Sequence, residues 1–379
     1  SLVTTWVDYQ EKARSLLRRS EDLWRLHGVV GGFFWRDLHE LHWQLRHGAC
    51  GEGYISMRTR HPEPFAHQLC FQLPAEVEVE PDIVPWFVNR YGYWQDSDVL
   101  VHLFRAISGA NCVVVDVGAM SGMHAFLFAK AGFPVVAVEP EASNFRALDY
   151  GARQLRLEGW PNVTTLHAAA AKEPGFVRLQ LLRNPETGAR WHASTQVKWA
   201  GGAQADVWGD RLDELLQGYP EPICGLTVDA EGSEKFVFEG APRVLSQVDV
   251  VTFEFIPHEE TGPPDWFLKG LPPEDSDLKE PDEVPRLLRG LGFHLFYIFV
   301  VSPEGQLPIE VELCPLDLET DPCTPPSWDL FNATRCHGAR ARHYTGDVLA
   351  SRLELVDLKV GLPWVHVDIR ACSEIGTSR

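Results

Sequence analysis

The chain has 379 residues, of which 45% are hydrophobic and 23% charged, the composition of a globular protein with a sizeable core. Its 34 basic and 53 acidic residues give a formal net charge of −19, and a field of that sign repels phosphate backbones, so a nucleic-acid partner is disfavoured. No apolar segment approaches the roughly 20 residues that span a bilayer, so we expect no membrane span.

The eight cysteines include no CxxC pair, which argues against a zinc ribbon. Cys112 and Cys224 lie in apolar, strand-like runs, so we predict that they are free thiols of the core. The other six are expected to form three disulfides in an oxidising compartment. They are Cys50, Cys70, Cys314, Cys323, Cys336 and Cys372. Glycosylation sequons at Asn162 and Asn332 favour the same compartment, so we predict the secretory pathway, at the Golgi lumen, with a cytoplasmic location as the alternative.

The N-terminal part of the chain lacks a clear alternation of strands and helices. Residues 1–48 are predicted to form a helical leader, because leucines recur every three or four residues among charged ones, with a break at Gly31 and Gly32. A helical hairpin on the main domain is the simplest interpretation, and a stem, a dimerising arm or a lid are alternatives. Residues 49–85 are punctuated by proline and form a connecting segment.

From residue 86 onward, short apolar runs alternate with amphipathic helices. Strands are predicted at residues 113–116, 135–138, 163–167, 226–228, 248–255, 293–301 and 309–313, with a hairpin around residues 177–182. Helices are predicted at residues 96–106, 124–131, 143–157, 210–216, 234–245 and 282–291. Strands separated by such helices imply right-handed crossovers, so we predict an α/β fold with a doubly wound, mostly parallel sheet.

This pattern divides the chain into four parts. After the leader and the connecting segment, residues 86–315 form the main domain and residues 316–379 a C-terminal extension. Within the main domain, residues 257–281 form an acidic, proline-rich insertion. Long loops in compact domains often cover functional sites, so this insertion is a candidate lid.

The first chemical motif is the sequence DVGAMSG, which begins at Asp116 and follows the first strand of the main domain. In open parallel sheets, ligands bind beyond the carboxyl ends of the strands, where strand order reverses. Asp116 closes the strand, Gly118 lets the backbone turn close to a ligand, and Ala119 and Ser121 lie in the turn. Gly122 opens a helix whose N-terminal amides can hold an anionic group. The spacing is DxGxxxG and not GxGxxG, which disfavours a dinucleotide.

The next two strand ends indicate a nucleoside-containing ligand. Glu139 lies about 20 residues past the glycine turn, where an acid can accept hydrogen bonds from two ribose hydroxyls, and Pro140 and Asn144 follow it. The alternative for Glu139 is a solvated acid at a strand end. The third strand ends at Ala168 and Ala169, small residues against which an adenine ring can lie flat.

These segments resemble the FkbM-type methyltransferases. The resemblance is carried by VDVGA at residues 115–119, VEP at 138–140, Asn144 and the alanine-rich segment at 168–175. A second signature, VDAEGSE at residues 228–234 with FEGA at 238–241, is similar to the Asp-x-Glu-Gly-x-Glu element of that family. Trp94 and Gln95 lie where the family has an aromatic and polar entry to its cofactor site. Met120 departs from the pattern, since the family usually has asparagine there.

The resemblance covers roughly residues 86–315. It implies a Rossmann-like seven-stranded methyltransferase sheet, S-adenosylmethionine (SAM) as cofactor, and O-methyl transfer, commonly to a sugar or natural-product hydroxyl. It also implies that Trp94, Gln95 and the three strand ends contact the cofactor. The helical leader, the insertion and the C-terminal extension lie outside the common pattern, so the acceptor stays open.

Methyl transfer to an alcohol needs a base or a metal, because an unperturbed hydroxyl is a poor nucleophile. Asp229 and Glu231 follow the fourth strand, and Glu254 and His258 lie at or after the fifth. We predict Glu231 or His258 as the base, with Asp229 and Glu254 orienting groups or balancing charge. Alternatively, Glu231 begins the next helix and His258 is a surface residue. The same four residues could bind Mg²⁺, which prefers hard oxygen ligands.

The chain has 13 tryptophans, and aromatic faces pack well against the apolar C–H faces of sugars. Four of them fall in loop-like stretches: Trp191, Trp199, Trp208 and Trp266. We predict that Trp191 and Trp266 contact the acceptor and that the acceptor is a carbohydrate, on a glycan.

Several other functions compete with this prediction. A natural-product O-methyltransferase and a catalytically inactive glycan-binding module on the same fold are the main alternatives. A nicotinamide oxidoreductase is disfavoured because GxGxxG and a Tyr-x-x-x-Lys pair are missing. Methylation of DNA or RNA is disfavoured because no Asn/Asp-Pro-Pro-aromatic element is present.

Overall fold

The structure is a computed structural model. It describes residues 50, 54–72, 88, 94–109, 112–183, 190–199, 207–220, 222–231, 233–254, 283–301, 308–315, 344–355, 358 and 361–369. Some of the predictions made from the sequence concern residues outside these ranges. They concern the helical leader, the 257–281 insertion, His258, Trp266, Asn332 and Cys323, Cys336 and Cys372.

A two-stranded antiparallel hairpin and one helix precede the main sheet. Strand β1 (Tyr54–Arg58) pairs with β2 (Gln68–Gln72), and helix α1 (Gln95–Ser108) follows. Cys50 and Cys70 form a disulfide, in agreement with the prediction that both are oxidised. The hairpin region is joined to α1 by a buried contact between His61 and Asp98, whose Nε2 and Oδ1 lie 3.1 Å apart.

The chain then builds the first half of the main sheet, a small second sheet, and the second half. The first half contains β3 (Val113–Val117), α2 (Met123–Lys130), β4 (Val135–Val138), α3 (Ala142–Leu157) and β5 (Val163–Leu166). The small sheet contains β6 (Ala169–Ala170), β7 (Gly175–Arg183), β8 (Arg190–Trp199) and β9 (Val207–Asp210). The second half contains α4 (Leu212–Leu215), β10 (Ile223–Val228), α5 (Glu234–Glu239), α6 (Pro242–Gln247), β11 (Val250–Glu254), α7 (Glu283–Gly290), β12 (Leu295–Val301), β13 (Ile309–Pro315), β14 (Tyr344–Ser351) and β15 (Val365–Ile369).

The main sheet has nine strands in the order β15-β13-β12-β14-β11-β10-β3-β4-β5. Neighbouring strands from β11 to β5 pair in parallel, and β14 lies antiparallel between β11 and β12. The seven strands from β5 to β12 form the predicted mostly parallel, seven-stranded sheet, and β13 and β15 extend it. Every residue of β3 and β4 is buried, as expected for strands covered by helices on both faces.

Helices on each face of the sheet enclose a separate hydrophobic core. On one face α1, α2 and α3 pack against side chains that include Val114, Ala137 and Val250. On the other face α5, α6 and α7 pack against the alternate strand residues, such as Val115 and Val251. Because successive side chains of a strand point to opposite faces of the sheet, alternate residues of the same strand pack against different sets of helices.

Two strands of the sheet come from the segment predicted as a C-terminal extension. Strands β14 and β15 both lie beyond residue 315, and β14 pairs with β11 along its whole length, from Val250 opposite Ser351 to Glu254 opposite Asp347. The sheet therefore extends past the range that the resemblance covers.

Three local predictions are wrong. The helix predicted at residues 234–245 is two helices, because the chain turns at Gly240 and Pro242 starts α6. A Cβ on Gly240 would lie 2.0 Å from the carbonyl oxygen of Ala171, so the close approach requires glycine. Trp191, Trp199 and Trp208, predicted in loops, lie in strands β8 and β9 of the small sheet.

The third error concerns the core cysteines. Cys112 and Cys224 were predicted as free thiols, but they form a disulfide with Cα atoms 5.6 Å apart. Cys112 lies just before β3 and Cys224 is the second residue of β10, and these strands are parallel neighbours. Their pairing brings together two positions that are separated by 112 residues in the chain.

Candidate active site at the switch point of the sheet

The strand order reverses between β3 and β10, and the predicted functional residues lie at the carboxyl ends of these strands. From β3 the chain proceeds outward through β4 to β5, and it then returns to place β10 and β11 on the other side. Such a switch point leaves a crevice beyond the strand ends, because the two neighbouring connections leave in opposite directions.

The turn after β3 is held between its two neighbouring strands. The backbone N–H groups of Gly118 and Ala119 both donate to the carbonyl oxygen of Val138, at 2.9 and 3.1 Å. Gly118 has φ +81°, and a Cβ there would lie 1.7 Å from the carbonyl oxygen of Asp229. Only glycine fits this close contact between the turn and the end of β10.

Buried polar atoms without a partner among the described residues line this turn. They are Oδ2 of Asp116, Oγ of Ser121 and Nε2 of His124. Asp116 Oδ1 lies 3.9 Å from His124 Nδ1. Burial raises the pKa of Asp116 to about 7 and lowers that of His124 to about 4. Because buried polar groups are almost always hydrogen-bonded, these atoms indicate a polar ligand that is bound from the turn.

Gly122 caps the amino end of α2 in the left-handed conformation, with φ +96°. A Cβ there would lie 2.4 Å from the ring of Phe126, so a larger residue would displace that ring. Helix α2 therefore begins directly at the turn, as predicted, and its first amides face the same end of the sheet.

Glu139 is 3% exposed and lies at the end of β4. Its carboxylate accepts hydrogen bonds from the N–H groups of Met120, at 2.8 Å, and Glu141, at 2.7 Å. Burial raises the pKa of Glu139 to about 8, and the Asn144 side chain donates a further hydrogen bond that opposes this shift. The carboxylate thus holds the turn after β3 in place, and the interpretation as a solvated acid is wrong.

The third strand end borders the same edge. Ala168 and Ala169 are 6% and 0% exposed, and Ala169 begins β6 of the small sheet. His167 stacks on Phe145 with ring centroids 4.6 Å apart, and its Nε2 lies 3.1 Å from the carbonyl oxygen of Pro140. His167, which precedes the buried adenine-side residues, is therefore held against α3 and the loop after β4.

Three of the four predicted catalytic residues come together. Ligand atoms of Asp229, Glu231 and Glu254 lie within 4.8 Å of one another. Glu231 has φ +53°, a left-handed conformation that costs a non-glycine residue on the order of 1 kcal/mol. Desolvation raises the pKa of Asp229 to about 7, with the charges of Glu234 and Asp116 adding to the shift.

Glu234 has the role that was the alternative for Glu231, the start of the next helix. It begins helix α5, and its Oε1 accepts a hydrogen bond from the N–H of Ala230 at 2.9 Å. Glu231 precedes the capping residue Ser233 and lies outside the helix. The helix-start interpretation therefore applies to Glu234 and not to Glu231.

A polar row in the sheet leads to these carboxylates and was missed in the sequence. Thr227 lies in register with Asp116 on one side and with Thr252 on the other. Two residues further along the same strands are Asp229 and Glu254, so all five positions share the face covered by α1. Alternation of polar residues with valine and phenylalanine at the ends of β10 and β11 is the signal that could have identified this row.

The first turn of α1 faces the row. Trp94 caps α1 and packs, partly buried, against the core, and Gln95 is the first helical residue. Asp96, which was not predicted, is close enough for its charge to raise the pKa of Asp229. Trp191 lies in β8 of the small sheet.

The arrangement concentrates carboxylates at one end of two adjacent strands. Desolvation raises the pKa of Asp229, and repulsion from the charges of Glu234, Asp116, Asp96 and Glu139 adds to the rise. Like charges held together in this way favour either protonation or a cationic ligand. The site can therefore bind a positively charged group, and it can accept a proton near neutral pH.

Comparison with known protein families gives one match. The model of the methyltransferase FkbM domain matches residues 116–295, from the end of β3 to the start of β12. The matched range includes the turn after β3, Glu139, the segment that contains Glu231, and Glu254. Among curated proteins, none has significant sequence similarity to this chain.

Solved structures give distant matches. The precorrin-8w decarboxylase of Methanobacterium thermoautotrophicum is 15% identical, with 55% of this chain and 77% of that chain covered and a TM-score of 0.30. The precorrin-6y C5,15-methyltransferase of Geobacter metallireducens is 12% identical, with coverages of 54% and 74% and a TM-score of 0.30. The magnesium protoporphyrin IX methyltransferase of Synechocystis is 11% identical, with coverages of 60% and 82% and a TM-score of 0.31.

Proposed function

We propose that this chain, whose residues 116–295 match the FkbM methyltransferase domain, is a SAM-dependent methyltransferase that methylates a hydroxyl group of a carbohydrate, on a glycan. The proposal has three parts: where the cofactor is held, which residue accepts the proton of the acceptor, and what the acceptor is. The observation that carries it is the carboxylate cluster of Asp229, Glu231 and Glu254 beside the glycine turn.

The residues at the switch point fit SAM. The unpartnered Oδ2 of Asp116 and Oγ of Ser121 are acceptors or donors for the polar groups of the cofactor. Glu139 accepts hydrogen bonds from the backbone amides of Met120 and Glu141 and from the Asn144 side chain, and a remaining lone pair of its carboxylate can accept one from a ribose hydroxyl. Ala168 and Ala169 leave room for the adenine ring. SAM supplies an electrophilic methyl group on a sulfonium, and the surrounding carboxylates balance that positive charge.

Glu231 is the general base in this proposal. The acceptor hydroxyl transfers its proton to the Glu231 carboxylate as its oxygen becomes a nucleophile. Neighbouring Asp229 and Glu254 lie close enough to Glu231 to orient the acceptor hydroxyl and balance charge during the transfer. The left-handed backbone of Glu231 fixes the carboxylate next to these two residues. His258 remains an alternative base.

A carbohydrate acceptor is supported by chemistry outside the cluster. The resemblance to the FkbM family favours sugar or natural-product hydroxyls, and the small sheet carries exposed aromatic side chains, Phe176 and Trp208. Trp191 and Trp266 stay proposed acceptor contacts. A net charge of −19 disfavours a nucleic-acid acceptor.

Mg²⁺ is a second candidate ligand of the carboxylate cluster. The ligand atoms of Asp229, Glu231 and Glu254 are close enough together to hold one ion, and hard oxygen donors suit Mg²⁺. A metal there would lower the pKa of the acceptor hydroxyl and replace the base. Activity that is abolished by EDTA and restored by Mg²⁺ would favour the metal, whereas full activity in EDTA favours Glu231 as the base.

We also propose a location in the secretory pathway. Two disulfides, Cys50–Cys70 and Cys112–Cys224, fit an oxidising compartment such as the Golgi lumen. The Asn162 side chain of the first sequon is exposed. Of the helices that the structure describes, none has the length and apolar character to cross a membrane.

The test is mass spectrometry of glycans incubated with the protein and methyl-labelled SAM. The expected product carries the label on a sugar oxygen. Label on natural-product hydroxyls alone would favour the small-molecule alternative. SAM binding without transfer to any acceptor would favour the inactive glycan-binding module.

A further inference from the structure

The glycosylation sequon Asn162-Val163-Thr164 lies at an outer edge of the main sheet. Asn162 directly precedes β5, and β5 is the last strand at that end of the nine-stranded sheet. The carbonyl oxygen of Asn162 accepts a hydrogen bond from the N–H of Val135 at 3.0 Å, so the backbone at this residue is fixed against β4. The sequon is therefore a defined part of the fold.

The side-chain amide of Asn162 is accessible and already oriented. The side chain is exposed, and one Nδ2–H donates to Oγ1 of Thr164, the third residue of the sequon, at 3.1 Å. Oγ1 of Thr164 also accepts a hydrogen bond from the hydroxyl of Tyr219 at 2.7 Å. A primary amide has two N–H groups, so the second one stays available for a covalent bond to a sugar. Attachment of a glycan there leaves both hydrogen bonds intact.

The outer side of β5 is open. In a parallel pair of strands, the N–H and C=O groups of alternate residues point to the same neighbouring strand. The carbonyl oxygens of Asn162 and Leu166 accept hydrogen bonds from the chain segment that contains β4. Val163 and Thr165 therefore direct their backbone groups away from β4. In the ranges that the structure describes, no strand pairs with β5 on that side.

The side chains of β5 join the strand to the elements above and below the sheet and leave its outer edge uncovered. Thr164 contacts Tyr219 of the loop after α4, and Thr165 donates a hydrogen bond to Asp149 of α3 at 3.1 Å. The strand sequence, VTTL, has no charged residue and is rich in β-branched residues, which favour strand pairing. Natural edge strands are protected by charges, bulges or covers, because unpaired N–H and C=O groups pair readily with another chain. A bulky hydrophilic group at Asn162 would cover this edge.

A glycan at Asn162 would leave the candidate active site open. That site lies at the carboxyl ends of the strands, whereas Asn162 precedes the amino end of β5. The four residues of β5 separate the two ends by about 13 Å, at roughly 3.3 Å per residue. His167, which follows the far end of the strand, stacks on Phe145 beside the loop after β4. A group at Asn162 therefore covers the edge without covering the glycine turn.

We propose that Asn162 carries an N-linked glycan that covers the open edge of β5. The new bond joins Nδ2 to C1 of the first sugar. The donor is a lipid-linked oligosaccharide diphosphate, whose lipid diphosphate leaves as Nδ2 loses one proton. The inference rests on the proposed function in one respect, the location in the secretory pathway, because N-linked glycans belong to secreted proteins. It is independent of the acceptor of the methyl group.

Occupancy is tested on the full chain, secreted from eukaryotic cells behind a secretion signal. Release of N-linked glycans by peptide N-glycosidase in heavy-oxygen water converts a glycosylated asparagine into labelled aspartate, which mass spectrometry locates. We expect the label at residue 162. Asn162→Gln and Thr164→Ala should lose it, whereas the matched control Thr164→Ser keeps both the hydroxyl and the sequon and should retain it. An unmodified Asn162 in the wild type would overturn the proposal.

The role of the glycan is tested by sedimentation velocity, with masses corrected for the glycan. Asn162→Gln and Thr164→Ala should sediment faster than the wild type as the protein concentration rises, because their uncovered edges pair. Asn162→Lys also lacks the glycan, but it places a charge beside the edge and should sediment like the wild type. The affinity for SAM should be the same for all forms, since the change lies at the opposite end of the strands. Glycan-free Asn162→Gln that sediments like the wild type would show that the assigned role is wrong.

The failure of this inference and that of the proposed function are distinguishable. If Asn162 stays unmodified while Cys50 and Cys70 are oxidised in the secreted protein, the glycan assignment is wrong and the proposed location stands. If the natural protein has reduced cysteines and no glycan, the proposed location is wrong and the inference falls with it. Asn162→Gln should transfer methyl groups at the wild-type rate, so a failure to methylate glycans concerns the proposed acceptor alone.

Discussion

The two ends of the central strands β3 and β10 differ in chemistry although the strands are direct neighbours. At the amino end, a disulfide joins Cys112 to Cys224, and Val113 donates a hydrogen bond to Pro222 at 2.9 Å. At the carboxyl end, Asp116 and Asp229 are ionisable groups whose pKa values burial raises to about 7. The amino end stabilises the fold, whereas the carboxyl end keeps charges in an unfavourable setting that a ligand can relieve. Stability and chemistry are thus separated along the same two strands.

The largest expected effect lies at the carboxyl end. Glu231→Gln removes the proposed base and should lower the rate of methyl transfer by roughly 10²- to 10⁴-fold. The affinity for SAM should stay unchanged, because a base acts only during the reaction. Single-turnover transfer of labelled methyl groups, together with calorimetry of SAM binding, measures both quantities.

Glu214→Gln is the matched control for this prediction, since Glu214 is an exposed glutamate of α4. It should keep the wild-type rate. Full activity of Glu231→Gln would show that the assignment of the base is wrong.

The next largest effect is expected at the amino ends of β3 and β10, where a disulfide contributes to the stability of the fold and not to binding. Replacing both Cys112 and Cys224 by alanine should lower the free energy of unfolding by about 5 kcal/mol, as expected for a disulfide that closes a loop of about 100 residues. Urea denaturation measures this change in stability, and the affinity for SAM should stay the same.

The Cys50–Cys70 disulfide closes a shorter loop, with a sequence separation of 20, so its loss should lower the free energy of unfolding by about 3 kcal/mol. Eight reactive thiols in the denatured, unreduced natural protein would contradict both disulfides.

A smaller effect is expected at the glycine turn. Gly118→Ala places a Cβ 1.7 Å from the carbonyl oxygen of Asp229 and should weaken SAM binding at least about tenfold as the turn moves. Gly159→Ala is the control, because Gly159 also has a positive φ, +85°, but no atom lies within 4 Å of the added Cβ. Both variants share the cost of a left-handed alanine, so only Gly118→Ala should affect the cofactor. Equal SAM affinities of the two variants would argue against this turn as the cofactor site.

The smallest expected effect is the dependence of the free energy of unfolding on pH. Burial raises the pKa of Asp116 and Asp229 to about 7 and that of Glu139 to about 8. These carboxyls hold protons more tightly in the folded than in the unfolded protein. The free energy of unfolding without ligand should therefore fall as the pH rises from about 6.5 towards 8. At lower pH the buried His124 and His67, whose pKa values burial lowers to about 4 and about 3, have the opposite effect on stability. Thermal unfolding across the higher pH range measures the fall, and a rise in stability over that range would contradict the raised pKa values.

The affinity for SAM should depend on pH in the opposite direction to the stability of the ligand-free protein. The sulfonium favours ionised carboxylates, so SAM affinity should increase from pH 6 to pH 8, and binding at pH 7 should release protons. Calorimetry in two buffers of different ionisation enthalpy counts the protons. S-adenosylhomocysteine, which lacks the sulfonium charge, should depend less on pH. Proton uptake on SAM binding would contradict this account.

Some features of the fold and of the candidate site could be predicted from the sequence because they are encoded locally. Strands β3 and β4 and the turn at Gly118 are encoded in short, contiguous segments, so their pattern identifies both the fold and the glycine-rich motif. The acids Asp229, Glu231 and Glu254 were expected to meet because the carboxyl ends of parallel strands share one edge, and they do. These predictions, which depend on the buried-strand pattern and on parallel topology, therefore hold.

Predictions that depend on pairing across the chain fail. The disulfide between Cys112 and Cys224 requires knowing that β3 and β10 are neighbours, and apolar flanking residues instead favour free thiols. Strand β14 lies between β11 and β12 although it comes last but one in the chain, and no local signal specifies that insertion. Thr227 and Thr252 became meaningful only when the register placed them beside Asp116.

The central claim is that the switch point between β3 and β10 is a SAM site. Calorimetry of the full chain with SAM, S-adenosylhomocysteine and NAD tests this claim most directly. We predict that SAM and S-adenosylhomocysteine bind, that NAD does not, and that Asp116→Asn and Glu139→Gln weaken both complexes. Binding of NAD without binding of SAM or S-adenosylhomocysteine would contradict the account.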